Sequence, residues 1–176
     1  WLKWLEAVWR QRAVFARADD AGALADAVVP AAALWPECAG LAEPLELMRS
    51  DATLHAELDD CARALGRAAG KTAAKAAAGL VDALALAAGG AAQAAHARAW
   101  DALMTKAGDK RKRLGADDEV DAAITALGRI RRMQDQHEAH NAHRALVPFA
   151  RLLRREYAAL QCARGLVDMD DLDAAA

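Results

Sequence analysis

Apolar residues recur every three to four positions along most of this chain. Over 1–17, Leu2, Leu5, Val8, Trp9, Ala13 and Ala16 share a face, with Lys3, Glu6, Arg10 and Arg12 between them, the pattern of an amphipathic helix. Asp19-Asp20 reads as the start of a second, short helix that ends before Pro30. Pro30, Pro36, Gly40 and Pro44 punctuate an irregular connection carrying Trp35. Pro44 suits the first turn of a helix to about Arg49. Ser50 or Asp51 caps the next, which runs through Arg67. Residues 72–88 form an alanine-rich helix closed by Gly89-Gly90, and another helix spans 91–106. A basic loop, 107–116, precedes Asp117-Asp118-Glu119, carboxylates that favour a helix start. The long helix from there extends to Ala145. Pro148 either kinks it or starts the next, which runs to Ala163, and Asp168 or Asp170 caps a last, truncated helix. No alternating strand pattern or hairpin signal appears. These elements predict an all-α fold: an irregular multi-helix bundle of about seven to nine helices with one basic loop, residues 1–176 making a single helical domain.

Composition agrees. Alanine supplies over a quarter of the 176 residues, and aromatics only 5%, a helix-forming mixture. The formal charge of -2 says little about partners. Three widely spaced cysteines, Cys38, Cys61 and Cys162, suggest neither a disulfide framework nor a zinc site, and point to a reduced, cytoplasmic setting. No apolar run is long enough for a membrane span. The first helix carries charges throughout, unlike a signal peptide. A start without Met fits an excised domain.

Several stretches invite a catalytic reading. Gly66-Arg67-Ala68-Ala69-Gly70-Lys71-Thr72 ends like a phosphate-binding loop, but has one residue too few between its glycines and follows a helical pattern, not a buried strand. It reads as a glycine helix break. His137-Glu138-Ala139-His140-Asn141-Ala142-His143 lacks the i, i+4 histidine pair of zinc proteases, so an exposed polar helix face is expected. His55 and His96 stand alone. Ser50 is the only serine, which argues against a serine nucleophile. Asp168, Asp170, Asp171 and Asp173 suit helix capping better than a cation site.

The basic loop is the stronger signal. Lys106, Lys110, Arg111, Lys112 and Arg113 crowd around one loop carboxylate, Asp109. Such a cluster attracts phosphates whatever the base sequence; charge alone equally permits an ordinary solvated loop. Residues 101–164 hold thirteen Lys/Arg against nine Asp/Glu. Arg151 and Arg155, one helical turn apart, form a second local patch.

Two stretches carry a family resemblance. Tyr157-Ala158-Ala159-Leu160-Gln161-Cys162-Ala163-Arg164-Gly165-Leu166-Val167-Asp168-Met169-Asp170-Asp171-Leu172 resembles the segment Y-x-x-x-K-x(5-6)-D-F-D-D-L of UvrD-type superfamily 1 DNA helicases, above all the AddA and RecB helicase-nucleases. Gln161 stands where Lys is usual, and Met169 where Phe is usual, a tolerable apolar exchange. Met104-Thr105-Lys106-Ala107-Gly108-Asp109-Lys110-Arg111-Lys112 is similar to the L-T-K-x-G-x-P-R-K stretch of the same helical insertion, with Lys110 where proline is common. The resemblance implies subdomain 1B of such a helicase, packed beside an ATPase core and contacting DNA, with 165–176 beginning the return into that core. It implies phosphate contacts at Lys106, Lys110, Arg111, Lys112 and Arg113, then at Arg151 and Arg155. Tyr157, Asp168, Met169, Asp170, Asp171 and Leu172 would hold the return segment. ATP and Mg2+ would belong to the parent protein, this chain holding no cofactor and no metal. The implied partners are DNA, the rest of the helicase chain and a partner subunit, with no membrane. Helicase and nuclease motifs are missing from the chain, so it should neither hydrolyse ATP nor unwind or cut DNA by itself. The rival reading is a protein-interaction module whose Trp1, Trp4, Trp9 and Trp35 meet a partner subunit or the helicase core.

Overall fold

The computed structural model describes residues 2–166. Among them every regular element is a helix, as the periodicity predicts, and the only β-type pairing is an isolated antiparallel bridge between Met104 and Lys110. The elements are α1 (Leu2–Arg10), α2 (Arg12–Asp20), α3 (Ala31–Leu34), 3-10 turns at Pro36–Cys38 and Pro44–Glu46, α4 (Leu47–Ser50), α5 (Ala52–Arg67), α6 (Lys71–Ala88), α7 (Ala92–Leu103) and α8 (Asp117–Arg164). No described helix is long and apolar enough to cross a membrane. The chain divides into two compact units, a central one (Ala31–His137) and a terminal one (Trp1–Pro30 with Glu138–Ala176).

The central unit holds the hydrophobic core. Leu54, Leu58, Cys61 and Leu65 of α5 meet Ala76, Leu80, Ala83 and Ala87 of α6, Ala95, Ala99 and Leu103 of α7, and Val120, Ala123, Leu127, Ile130 and Met133 of α8. All recur at helical spacing, so each helix buries one stripe. Each fully buried Leu contributes roughly 1.5–3 kcal/mol. Asp51 caps α5 as its sequence position suggests: Oδ1 accepts from the backbone N–H of Thr53 at 2.9 Å and of Leu54 at 3.1 Å. α6 and α7 approach on small residues. A Cβ placed on Gly79 would lie 2.8 Å from the Cβ of Ala102. α7 stops at Leu103, not at Lys106 as its pattern suggests, because Met104 turns extended (φ -110, ψ 154) to pair with Lys110.

In the terminal unit the expected first helix is two, α1 and α2, divided at Gln11 (φ -108, ψ 18). Asp19-Asp20 end α2 instead of starting a further helix. Gly22 takes a left-handed φ of 71, and its N–H bonds Asp19 O while that of Ala23 bonds Ala18 O, both at 2.9 Å. These two bonds satisfy the last carbonyls and terminate the helix; the residues after it form turns, not a helix. Residues 138–164 of α8 lie antiparallel to this arm. His140 meets Val28, His143 meets Leu24, Arg151 meets Asp19 and Tyr157 meets Trp9. α8 continues through Pro148, where a kink or restart was expected.

Candidate nucleic-acid interface

The loop between α7 and α8 is built by its own cations and backbone. The Thr105 N–H donates to Asp109 O at 2.8 Å, and the Arg111 N–H to Leu103 O at 2.9 Å. Lys110 Nζ donates to Asp117 Oδ1 at 2.7 Å and Asp121 Oδ1 at 2.8 Å, one turn apart on α8. These bonds, Asp117 first, hold the Lys110 ammonium above its usual pKa. Arg111 Nε donates to Asp101 O at 3.0 Å, placing a cation at the negative end of α7. Leu114 is buried and anchors the loop in the core.

This divides the five loop cations. Lys110 and Arg111 are half-buried and bonded within the unit, while Lys106, Lys112 and Arg113 are exposed and make no ion pair with a described residue. Arg113 also holds a left-handed φ of 64, and Ala116 one of 49. Non-glycine residues there carry strain of about 1 kcal/mol or more, and such strain concentrates where function requires a particular backbone path. Asp117, Asp118 and Glu119, the acidic first turn of α8, follow directly and limit the positive field to the loop's tip.

Arg151 and Arg155, the second candidates, sit in the terminal unit in different settings. Arg151 grips Asp19 through Nε at 2.9 Å and Nη2 at 2.6 Å, with Arg154 3.8 Å from the same carboxylate. The Arg151 hydrogen bond holds the Asp19 carboxyl below its usual range. The acidic end of α2, unfavourable against the helix dipole, is thereby neutralised. Arg155 pairs only with its neighbour Glu156, at 3.0 Å. Sequence patterning offers no signal for the Asp19–Arg151 bond, which joins residues 132 positions apart.

The remaining candidates have structural roles. His140 and His143 bond the carbonyls of Val28 and Leu24 at 2.7 and 2.6 Å, so the expected exposed histidine face is half-buried and ties down the 24–28 turn. His96 Nε2 lies 3.0 Å from Leu127 O, and burial lowers its pKa. Burial, with Glu119 second, pushes the Cys61 thiol up to about 11; Cys38 is buried too, while Cys162 is exposed. Among the described residues no cluster of His, Cys, Asp or Glu is placed to hold a metal ion. The Gly66–Thr72 stretch is the end of α5 and the start of α6, with no strand before it, and does not fit an ATP phosphate. Trp35 packs against the core, and Trp9 packs edge-on to Tyr157 at 4.2 Å. Two of the tryptophans expected to meet a partner are therefore used within the chain. The side chains of Trp1 and Trp4, and residues Asp168, Met169, Asp170, Asp171, Leu172 and Asp173, lie outside the described ones.

No protein-family model, curated protein or solved structure matches this chain.

Proposed function

We propose that this chain is a DNA-contacting helical subdomain of a UvrD-type helicase, similar to subdomain 1B of AddA or RecB, and that it grips phosphates without catalysing a reaction. The observation that supports this reading best is the division of labour in the α7–α8 loop. Lys110 and Arg111 brace the loop, and Lys106, Lys112 and Arg113 stand exposed at its tip. A braced loop presents cations without the entropy loss of ordering a free one. Neutralised phosphates release counterions, so affinity should fall with salt, with a log-log slope of about -0.9 per phosphate on duplex. ATP and Mg2+ would be held by the rest of such a helicase.

The test is binding to a labelled duplex with a single-stranded tail over roughly 50–300 mM salt. The triple change Lys106→Ala, Lys112→Ala and Arg113→Ala should flatten the slope by two to three and leave the helix content intact. Absence of binding at the lowest salt, or an unchanged slope in the triple variant, would sink the assignment.

A second reading, docking of a partner subunit or of the helicase core, is favoured by one observation. Ala142, Ala145, Phe149, Leu152, Ala159 and Ala163 follow a three–four spacing on exposed positions of α8, interrupted by Glu156. That is the seam a partner helix packs against. Concentration-dependent association that persists at high salt would favour docking over DNA contact.

A further inference from the structure

A groove of about 480 Å3 runs along the terminal unit, lined by α1, α2 and the last turns of α8, a volume within the range of small-ligand sites. Arg12, Arg151, Arg154 and Arg155 line it, against the single carboxylate of Asp19. Asp19 occupies Arg151 by two hydrogen bonds, which leaves an excess of guanidinium charge on the wall. Arg155 and Glu156 form an exposed pair, their side chains 73% and 63% accessible; such pairs contribute little, so Arg155 can exchange Glu156 for another anion at small cost. The same groove carries Trp9 and Tyr157, whose rings meet at 78°, and the Arg12 guanidinium lies 5.0 Å from the Trp9 ring centre.

These features narrow the ligand. A purely apolar guest would leave the arginine excess uncompensated. A simple anion would make no use of the aromatic wall. A phosphate joined to a flat ring satisfies both, through charge-assisted hydrogen bonds at one end and stacking at the other. We propose that this groove binds one unpaired nucleotide of a nucleic-acid strand, its phosphate on Arg154 and Arg155 and its base against Tyr157. Stacking on a ring tolerates any base, so the site reads strandedness, not sequence. This adds a second contact to the DNA-binding reading, separate from the α7–α8 loop, and the two can fail independently.

The experiment titrates the tryptophan emission of the full chain with ten-residue oligothymidylate, with thymidine monophosphate, with inorganic phosphate and with hexaglutamate peptide. Saturable quenching by the oligonucleotide is expected, with weaker quenching by the mononucleotide and none by phosphate or peptide. Tyr157→Leu should weaken oligonucleotide binding about tenfold, Tyr157→Phe should restore it, and Arg155→Ala should weaken it severalfold. Because Tyr157 also packs on Trp9, Arg155→Ala decides the matter if Tyr157→Leu fails to fold. The loop triple variant should quench normally, whatever its duplex affinity. If the oligonucleotide produces no saturable quenching, if hexaglutamate binds as tightly, or if Arg155→Ala and Tyr157→Phe both bind like the parent while a folded Tyr157→Leu does too, the groove is not a nucleotide site. Tighter binding of the free mononucleotide than of the strand overturns the strand assignment in the same way.

Discussion

Histidines in this chain bond backbone carbonyls, and one of them makes stability depend on pH. His96 is half-buried beside Trp100, with ring centres 6.2 Å apart and planes 14° from parallel. Burial disfavours its charged form, outweighing the stabilising bond to Leu127 O. Its folded pKa is depressed below the unfolded value of about 6.5, so the unfolded chain takes up the proton first. The resulting stability is present above that value and is lost as the pH falls through the folded pKa, with a slope of up to about 1.4 kcal/mol per pH unit. Denaturant midpoints at neutral pH and near pH 5.5 should therefore differ less in His96→Gln than in the parent. An equal drop in both would remove His96 as the cause. The candidate site shows the same limit of local reading. Clustering marks Lys106, Lys110, Arg111, Lys112 and Arg113 as one group, and nothing in that cluster says that Lys110 reaches Asp121, eleven positions on. Pairing across the fold separates cations that build the loop from cations left at its tip.

At the scale of the element, alanine and glycine let α6 and α7 approach. Gly79 sits inside α6 and is buried there, where glycine costs about 1 kcal/mol relative to alanine by helix propensity alone. Gly79→Ala would recover that, but its Cβ would meet the Ala102 Cβ at 2.8 Å, well inside contact distance, and overpacking of this kind costs about 1–3 kcal/mol. The net effect should be a loss of about 1 kcal/mol, seen as a lower thermal midpoint. Adding Ala102→Gly should return most of it; no rescue would show that the clash lies elsewhere. Elements governed by local chemistry were legible: Asp51 does cap α5, and Gly89 does follow α6. Those governed by competition were not. Asp19-Asp20 looks like a helix start, but the left-handed Gly22 makes it a stop. The helical pattern of α7 continues to Lys106, yet the pairing of Met104 with Lys110 ends it three residues earlier. Pro148 removes one backbone donor and usually breaks a helix, but α8 carries its helical geometry through the proline.

The two units differ in what holds them. Every residue of the hydrophobic core lies between Ala31 and Met133, and in the terminal unit Ala150 is the one described hydrophobic residue that is fully buried. The terminal unit instead relies on polar ties and half-buried rings: two histidine–carbonyl bonds, the Asp19–Arg151 pair, and Trp9 on Tyr157. Exposed ion pairs contribute at most about 1 kcal/mol each, whereas apolar burial scales with area. Cooperative stability should therefore reside in the central unit, with the terminal one opening at lower free energy. Two measurements follow from this. Amide exchange should be slow in α5, α6, α7 and 120–133, and faster by orders of magnitude in α2 and 150–164. The excised segment 31–137 should stay helical and melt in one cooperative transition, since it keeps the whole core. Uniform protection, or an excised segment without a cooperative melt, would mean that the polar ties of the terminal unit are needed to fold the core, and that buried area alone does not rank the two.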